Sequence, residues 1–145
     1  MLFLNKGLLG SSFPPNGTVT SANQTIRGLL GNSYPQNVTI TSANQNDWYH
    51  VKGSGNEHYK GGSWRKYHEE RSGRKWPVDC CICGCTNKAT DGAHVEKRDG
   101  SYGNEKFIAP ICDSHNRAKN IYTPVTLNVG TVLVPINYGD VRFDP

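Results

Sequence analysis

Alternating apolar and polar positions recur in two parts of the chain and predict antiparallel strands. Near the C-terminus, TPVTLNVGTVLVPINYG alternates on both sides of Gly130, which predicts a β-hairpin within residues 122–145 with one buried face. Earlier in the chain, GAHV at residues 92–95 and KFIA at residues 106–109 predict a second hairpin, which turns at an Asp-Gly pair.

The first 45 residues contain a tandem repeat. Lys6–Gln24 recurs as Arg27–Gln45 at an offset of 21 residues, and both copies end in TxTSANQ. Each copy combines a proline-containing turn with a short alternation of threonine and an aliphatic residue, which predicts a strand–turn unit. Charged side chains on an exposed strand edge prevent it from pairing with another chain, and these strands have few of them. We therefore expect residues 1–45 to form a β-repeat segment able to join chains into a homo-oligomer. Residues 46–145 form the other predicted domain.

A basic and aromatic lead-in occupies residues 46–78, and within it Ser63 can cap a helix over Trp64–Arg71. Between residues 60 and 75, six basic side chains stand against two acidic ones, an excess of four that equals the formal charge of +4 for the whole chain. The six are Lys60, Arg65, Lys66, Arg71, Arg74 and Lys75. A local excess predicts an anionic partner, and interleaved aromatic residues suit nucleic acid. The alternatives are a solvated helix face and aromatic residues that fill a small core.

Two pairs of metal-ligand residues lie in the second half of the chain. CCICG, Cys80–Gly84, contains a C-x-x-C-G element, and CDSH, Cys112–His115, contains a C-x-x-H element that we expect to open a short helix. Three cysteines and one histidine are a common ligand set for structural zinc. We therefore predict a structural zinc site with the ligands Cys80, Cys83, Cys112 and His115.

The two remaining cysteines leave an alternative open. Cys81 and Cys85 have a four-residue spacing that zinc sites also tolerate, so either can replace Cys80 or Cys83 as a ligand. Otherwise we expect them to be buried small residues or spare thiols. A disulfide framework fits less well, because five cysteines is an odd number and we expect a reducing compartment.

The cysteine knuckle, the strand with His94 and the helix after Cys112 together resemble the HNH endonuclease superfamily in its zinc-containing form. The resemblance covers residues 79–121 and implies a treble-clef (ββα) module. By this resemblance His94 is the general base that activates water, and Asn116 is a ligand for a catalytic Mg²⁺ or Mn²⁺.

One position departs from the pattern on which that activity depends. The family has Asp or His directly before the base, and this chain has Ala93. Glu96 shares a strand face with His94 but lies beyond it, and an asparagine alone holds Mg²⁺ weakly. A buried, structural His94 is therefore the alternative to a catalytic one.

The composition is compatible with a globular domain and gives no sign of a membrane segment. Hydrophobic residues make up 35% of the chain, and no stretch approaches the roughly 20 apolar residues that a membrane span needs. We expect a cytoplasmic protein without a signal peptide or transmembrane segment. The predicted fold is α+β, with a small zinc-bound treble-clef module, flanking β-hairpins and an N-terminal β-repeat segment.

The predicted function is that of a zinc-stabilised, HNH-like module, non-catalytic or weakly catalytic, that binds nucleic acid. We expect the six basic residues of the lead-in to contact it, together with Arg117 and Lys119. One alternative is a metal-dependent DNA endonuclease with His94 as general base. The other is an assembly protein whose N-terminal repeats join subunits.

Overall fold

The computed structural model describes residues 35–52, 54–118 and 120–144. The first repeat copy and residues 27–34 of the second lie outside the described residues, so the predicted fold and self-association of residues 1–34 stay predictions. Lys119, one of the predicted nucleic-acid contacts, also lies outside them. The described end of the repeat belongs to the compact unit that begins at Gln36.

The described residues form a mixed α/β fold with short helices. The strands are β1 (Val38–Thr39), β2 (Trp48–His50), β3 (Glu57–Tyr59), β4 (Asp91–Lys97), β5 (Phe107–Ile111), β6 (Val132–Pro135) and β7 (Val141–Phe143). The α-helices are α1 (Trp64–Ser72) and α2 (Asp113–Arg117), and single 3₁₀ turns cover Ser54–Asn56 and Tyr138–Asp140. Within the described ranges, no helix has the length and apolar character that crossing a membrane requires.

Five strands form one antiparallel sheet in the order β1-β6-β5-β4-β2, and β3 pairs with β7 in a separate ribbon. The pairing of β4 with β5 confirms the hairpin predicted from GAHV and KFIA. The predicted C-terminal hairpin is wrong, because β6 pairs with β1 and β5 instead of with the preceding alternation. Val132, Leu133 and Val134 are all buried, and a strand between two others can bury both of its faces.

The two faces of the β4–β5 hairpin support different cores. Ala93 and Val95 point to one face, together with their cross-strand partners Ala109 and Phe107. The buried cysteines Cys80, Cys81 and Cys112 extend this core, as do Trp48 from β2, Leu133 from β6 and Ile40 beside β1. This is the face on which the metal-ligand residues gather.

Helix α1 covers the opposite face of the sheet, across β4, β5 and β6. Ser63 is its N-cap, since its side chain accepts a hydrogen bond from the Lys66 N–H at 3.0 Å, as predicted. Tyr67 is fully buried in a core with Ile108 and Val134. The helix backbone lies so close to Gly92 that a Cβ there would come within 2.8 Å of the Trp64 carbonyl. Only glycine allows this approach.

His68 on α1 is a buried polar group that uses both ring nitrogens. Its Nδ1 accepts a hydrogen bond from the Trp76 indole N–H at 3.1 Å, so the proton is on Nε2, which donates to the Val132 carbonyl at 2.7 Å. Burial lowers the pKa of His68, because a charged ring there would lose its hydration. The neutral ring therefore joins α1 to β6 and to the chain segment that leads to the cysteines.

This arrangement predicts a loss of stability in acid. The unfolded chain takes up a proton at His68 near its ordinary pKa of 6.5, whereas the folded chain resists it to a lower pH. The contribution is fully present above about pH 6.5 and is lost as the pH falls towards the lowered pKa. Urea midpoints measured from about pH 7.5 to about pH 5 should fall. They should fall less for His68→Gln at equal zinc saturation, because the amide keeps both hydrogen bonds without a proton. Parallel profiles for the two proteins would contradict the assignment.

Candidate metal centre

Four side chains converge to form a candidate metal centre. The ligand atoms of Cys80, Cys85, Cys112 and His115 all lie within 4.8 Å of one another. The Cys85 and Cys112 sulfurs are 3.9 Å apart, and the His115 Nδ1 is 3.8 Å from the Cys80 sulfur and 3.2 Å from the Cys112 sulfur. Zn–S bonds of about 2.3 Å and Zn–N bonds of about 2.0 Å in a tetrahedron imply edges of about 3.8 Å for S···S and about 3.5 Å for S···N. The four groups can therefore hold a tetrahedral metal ion.

The structure places Cys85, not Cys83, beside the other three ligands. The side chain of Cys83 is exposed, and its backbone N–H is engaged by the Thr126 carbonyl at 2.9 Å. Gly84 has a φ of +86°, and the Cys85 N–H closes the turn on the Ile82 carbonyl at 3.0 Å. This turn carries the chain past Cys83 and brings Cys85 inward. The signal in the sequence is a further cysteine, Cys85, five residues after Cys80, which left it open as a replacement for Cys83.

The loop from Cys80 to Ile82 is fixed by the C-terminal part of the chain. The Asn128 side-chain amide donates to the carbonyls of Cys80 at 3.1 Å and Ile82 at 3.3 Å, and its backbone N–H donates to the Cys81 carbonyl at 2.8 Å. Ile82 also forms a β-bridge with Leu127. Asn128 thus satisfies three successive carbonyls and sets the path of the ligand loop. Pattern reasoning missed this residue, because one asparagine in a run of alternating residues carries no local signal.

The other two ligands lie at the start of α2. Cys112 is the N-cap residue, and its own N–H donates to the Cys80 sulfur at 3.3 Å. His115 follows one turn later, so helical geometry brings both side chains to the same end of the helix. The backbone N–H of Asn87 donates to the Cys85 sulfur at 3.4 Å. N–H groups of this kind stabilise thiolates and orient them towards a metal.

The pKa values of the adjacent cysteines Cys80 and Cys81 are shifted in opposite directions. A hydrogen bond from the Cys81 thiol, with further donors from the backbone, lowers the pKa of Cys80 to about 4. The same hydrogen bond and complete burial raise the pKa of Cys81. Cys80 is thus a thiolate ready to ligate a cation, and Cys81 is a neutral core residue, one of the two roles predicted for it.

The ligand chemistry fits zinc. Thiolate and imidazole donors suit a borderline-soft cation without geometric demands, and all four positions of a tetrahedron are supplied by the protein. A site closed in this way has no open position for water or substrate, which is the mark of a structural centre. The bound ion would supply cross-linking and neutralisation of the thiolates.

The predicted catalytic residues do not form a site with the metal centre. His94 is 8% exposed and faces α1, where its ring packs edge-on against Trp64 at 4.8 Å between centroids. Its Nε2 lies 3.4 Å from a carboxylate oxygen of Glu57, whose pKa is raised by burial. Ala93 points into the opposite core with Cys80 and Cys112. Asn116 is half-buried on α2, the helix that carries His115.

Among the predicted nucleic-acid contacts, four basic side chains are exposed and have no ion pair within the described residues. They are Arg65, Lys66, Arg74 and Lys75, which we call the basic surface. The other three predicted contacts that the structure describes have partners in the fold. Lys60 donates to the Gly139 carbonyl at 3.1 Å, Arg71 pairs with Asp140 at 2.7 Å and Arg117 pairs with Asp113 at 3.0 Å. The basic surface is thus narrower than the predicted one.

In comparisons with known proteins, no family model, curated protein or solved structure matches the chain. Membership of the HNH superfamily therefore stays a prediction from the cysteine knuckle, the His94 strand and the helix after Cys112. What the structure adds is a Cys₃His cluster able to hold a metal ion.

The choice between Cys83 and Cys85 gives a direct test of the centre. Loss of an outer-shell partner of a metal typically lowers affinity by 10–100-fold, so loss of a ligand in Cys85→Ser should lower zinc affinity by more than about 100-fold. Cys83→Ser, the matched control, should keep wild-type affinity. Competition with a chromophoric chelator measures both. Equal losses in the two variants, or a loss in Cys83→Ser alone, would contradict the assignment.

Proposed function

We propose that the chain is a zinc-stabilised, HNH-like treble-clef module that binds nucleic acid through the basic surface and has little or no catalytic activity. The observation that carries this proposal is the set of four exposed cations on α1 and the segment after it, none engaged in an ion pair within the described residues. Charges left free by the fold are available to phosphates.

Two acidic side chains share α1 with these cations. Glu69 accepts from the Trp76 backbone N–H at 3.0 Å and the exposed Glu70 accepts from the Tyr59 hydroxyl at 2.8 Å, so within the described residues neither forms an ion pair with the basic surface. The Arg65 guanidinium lies over the Trp76 ring at 4.9 Å. This stacking restricts the side chain before it meets a phosphate, so less conformational entropy is lost on binding.

Base stacking contributes less to this proposal than the sequence suggests. Trp64 packs against Tyr67 at 5.2 Å between ring centroids, and its indole N–H donates to the Glu57 carbonyl at 3.0 Å. Tyr67 is fully buried. These rings fill the core between α1 and the β3–β7 ribbon, which was the alternative interpretation. Binding through phosphates without exposed stacking rings is expected to be largely independent of sequence.

The metal centre supports the basic surface from one side. Lys75 and Trp76 lead within a few residues to Cys80, and Trp76 donates to His68 on α1. A metal that fixes the Cys80 loop therefore also fixes the end of the basic surface. Because a preformed site rarely exists in an unfolded chain, the free energy of metal binding contributes directly to folding.

The geometry favours a binding module over the endonuclease alternative. A general base must reach water and substrate. His94 is instead covered by Trp64 and paired with Glu57, and the position before it is an alanine that faces the other core. Plasmid nicking with Mg²⁺ or Mn²⁺ that disappears in a zinc-loaded His94→Ala variant would replace our proposal by the endonuclease.

The binding proposal predicts a defined salt dependence. Each phosphate contact contributes about 0.7 to the slope of log K against log salt for single strands and about 0.9 for duplex. Each of Arg65→Gln, Lys66→Gln, Arg74→Gln and Lys75→Gln should therefore lower the slope by up to about that amount for any sequence. Fluorescence anisotropy with a labelled oligonucleotide at several salt concentrations measures it.

Arg142→Gln is the matched control for these variants. Arg142 is exposed on β7 and lies 3.6 Å from Asp144, so its loss should leave the slope unchanged. Circular dichroism and zinc content should be equal across the set, which separates lost contacts from lost folding. Undetectable binding at low salt, or affinity that does not respond to salt, would refute the proposal.

A further inference from the structure

The segment that follows α1 and the segment that precedes β6 line a cleft in the described part of the chain. Arg74 and Pro77 come from the first segment, and Asn128 and Val129 come from the second. Its volume of about 770 Å³ is within the range of about 300–1,000 Å³ that is usual for ligand sites. Arg74 and Val129 are exposed, so the space is open to solvent. We call this space, lined by parts of residues 74–80 and by residues 128–132, the cleft.

Two side-chain amides that line the cleft have acceptor oxygens to offer a ligand. Gln45 donates through Nε2 to the Leu127 carbonyl at 2.9 Å, and its backbone carbonyl accepts from the Leu127 N–H at 3.0 Å. Asn128 uses Nδ2 for the carbonyls of Cys80 and Ile82. Neither Oε1 of Gln45 nor Oδ1 of Asn128 accepts a hydrogen bond from a described residue. The donors of both amides thus hold them in place, and their oxygens can accept from a ligand.

The charged residues of the cleft favour a ligand with a phosphate. Arg74 belongs to the basic surface and has no ion pair within the described residues. Lys88 also lines the cleft, but it pairs with Asp79 at 2.7 Å, so most of its charge is compensated. Arg74 is therefore the side chain that a phosphate would contact. Pro77 and Pro110 add apolar surface to the same cleft. An anionic group, an apolar body and hydrogen-bond donors are together the properties of a nucleotide.

We propose that the cleft takes one unpaired nucleotide of a nucleic acid bound on the basic surface, so that single strands gain a contact that duplexes lack. This inference rests on the proposed nucleic-acid binding and names the part of the ligand that is read. Arg74 contacts the phosphate, the base packs against Pro77, and the exocyclic amino group of the base donates to Gln45 or Asn128. A base inside a duplex is held in the stack with its Watson–Crick edge occupied, so it does not enter.

The two acceptor oxygens give the cleft a limited base preference. Cytosine presents an exocyclic amino donor, whereas thymine presents a carbonyl oxygen at the same ring position. A net hydrogen bond changes affinity by roughly 2- to 12-fold. The base therefore adds a modest preference to binding that phosphates dominate.

Fluorescence anisotropy with the full, zinc-loaded chain tests this inference on three labelled probes of equal length: oligo-dC, oligo-dT and a mixed-sequence duplex. Oligo-dC should bind more tightly than oligo-dT by roughly 2- to 12-fold at the same salt concentration. Gln45→Met removes an acceptor and should reduce this ratio without changing the affinity for duplex. Gln45→Glu is the matched variant, because it also loses the donor to Leu127 but keeps acceptor oxygens for the cytosine amino group. It should bind both single strands more weakly and keep the ratio.

Two variants of the basic surface repeat the test without touching position 45. Arg74→Gln should lower the ratio of oligo-dC to oligo-dT affinity, because the nucleotide in the cleft loses its phosphate contact. Arg65→Gln, whose residue does not line the cleft, should weaken all three probes and keep the ratio. Equal affinity for oligo-dC and oligo-dT, or a ratio unchanged by both Gln45→Met and Arg74→Gln, would overturn the cleft assignment and leave the basic surface intact. Failure to bind any of the probes would overturn the proposed function, and the cleft assignment with it.

Discussion

The register between β4 and β5 is the constraint on which the rest of the described fold depends. Ala93 lies opposite Ala109 and His94 lies opposite Ile108. Because side chains alternate, a slip of one residue would exchange the two faces. The face with Ala93 would then lose its fit to the cysteines, and the face with Gly92 would no longer admit the α1 backbone. One pairing therefore sets both the metal centre and the support of the basic surface.

The metal centre is a balance between buried charge and hydrogen bonding. Cysteines ligate a cation as thiolates, so an ion bound here would bring three negative charges together, and a divalent cation would offset two of them. Backbone N–H groups stabilise the remaining negative charge: the Cys112 N–H donates to the Cys80 sulfur and the Asn87 N–H donates to the Cys85 sulfur. The neutral Cys81 thiol adds a further donor without another charge. The cluster is thus suited to a bound ion and poorly suited to its absence.

Local signals predicted the elements that depend on neighbouring residues. Ser63 marked the start of α1, the alternation around His94 marked β4, and Cys112 marked α2. The errors arose where distant parts of the chain decide. The alternation after Thr123 suggests a hairpin, but β6 gains more by burying both faces between β1 and β5. Likewise the C-x-x-C-G element favours Cys83 as a ligand. The Thr126 carbonyl, which accepts from the Cys83 N–H, and the Asn128 amide, which donates to the Ile82 carbonyl, instead hold the loop so that Cys85 points inward.

The dependence of the Cys80 loop on Asn128 has a consequence for the order in which a ribosome makes the chain. All four metal ligands precede residue 116, whereas the groups that hold their loop lie at residues 126–128 and the strand that follows them begins at Val132. Synthesis proceeds from the N-terminus, so the ligands emerge first and their support emerges later. The candidate ligands are therefore synthesised before the groups that fix their geometry, and the final arrangement of the four side chains can be set only once residues 126–135 have been made.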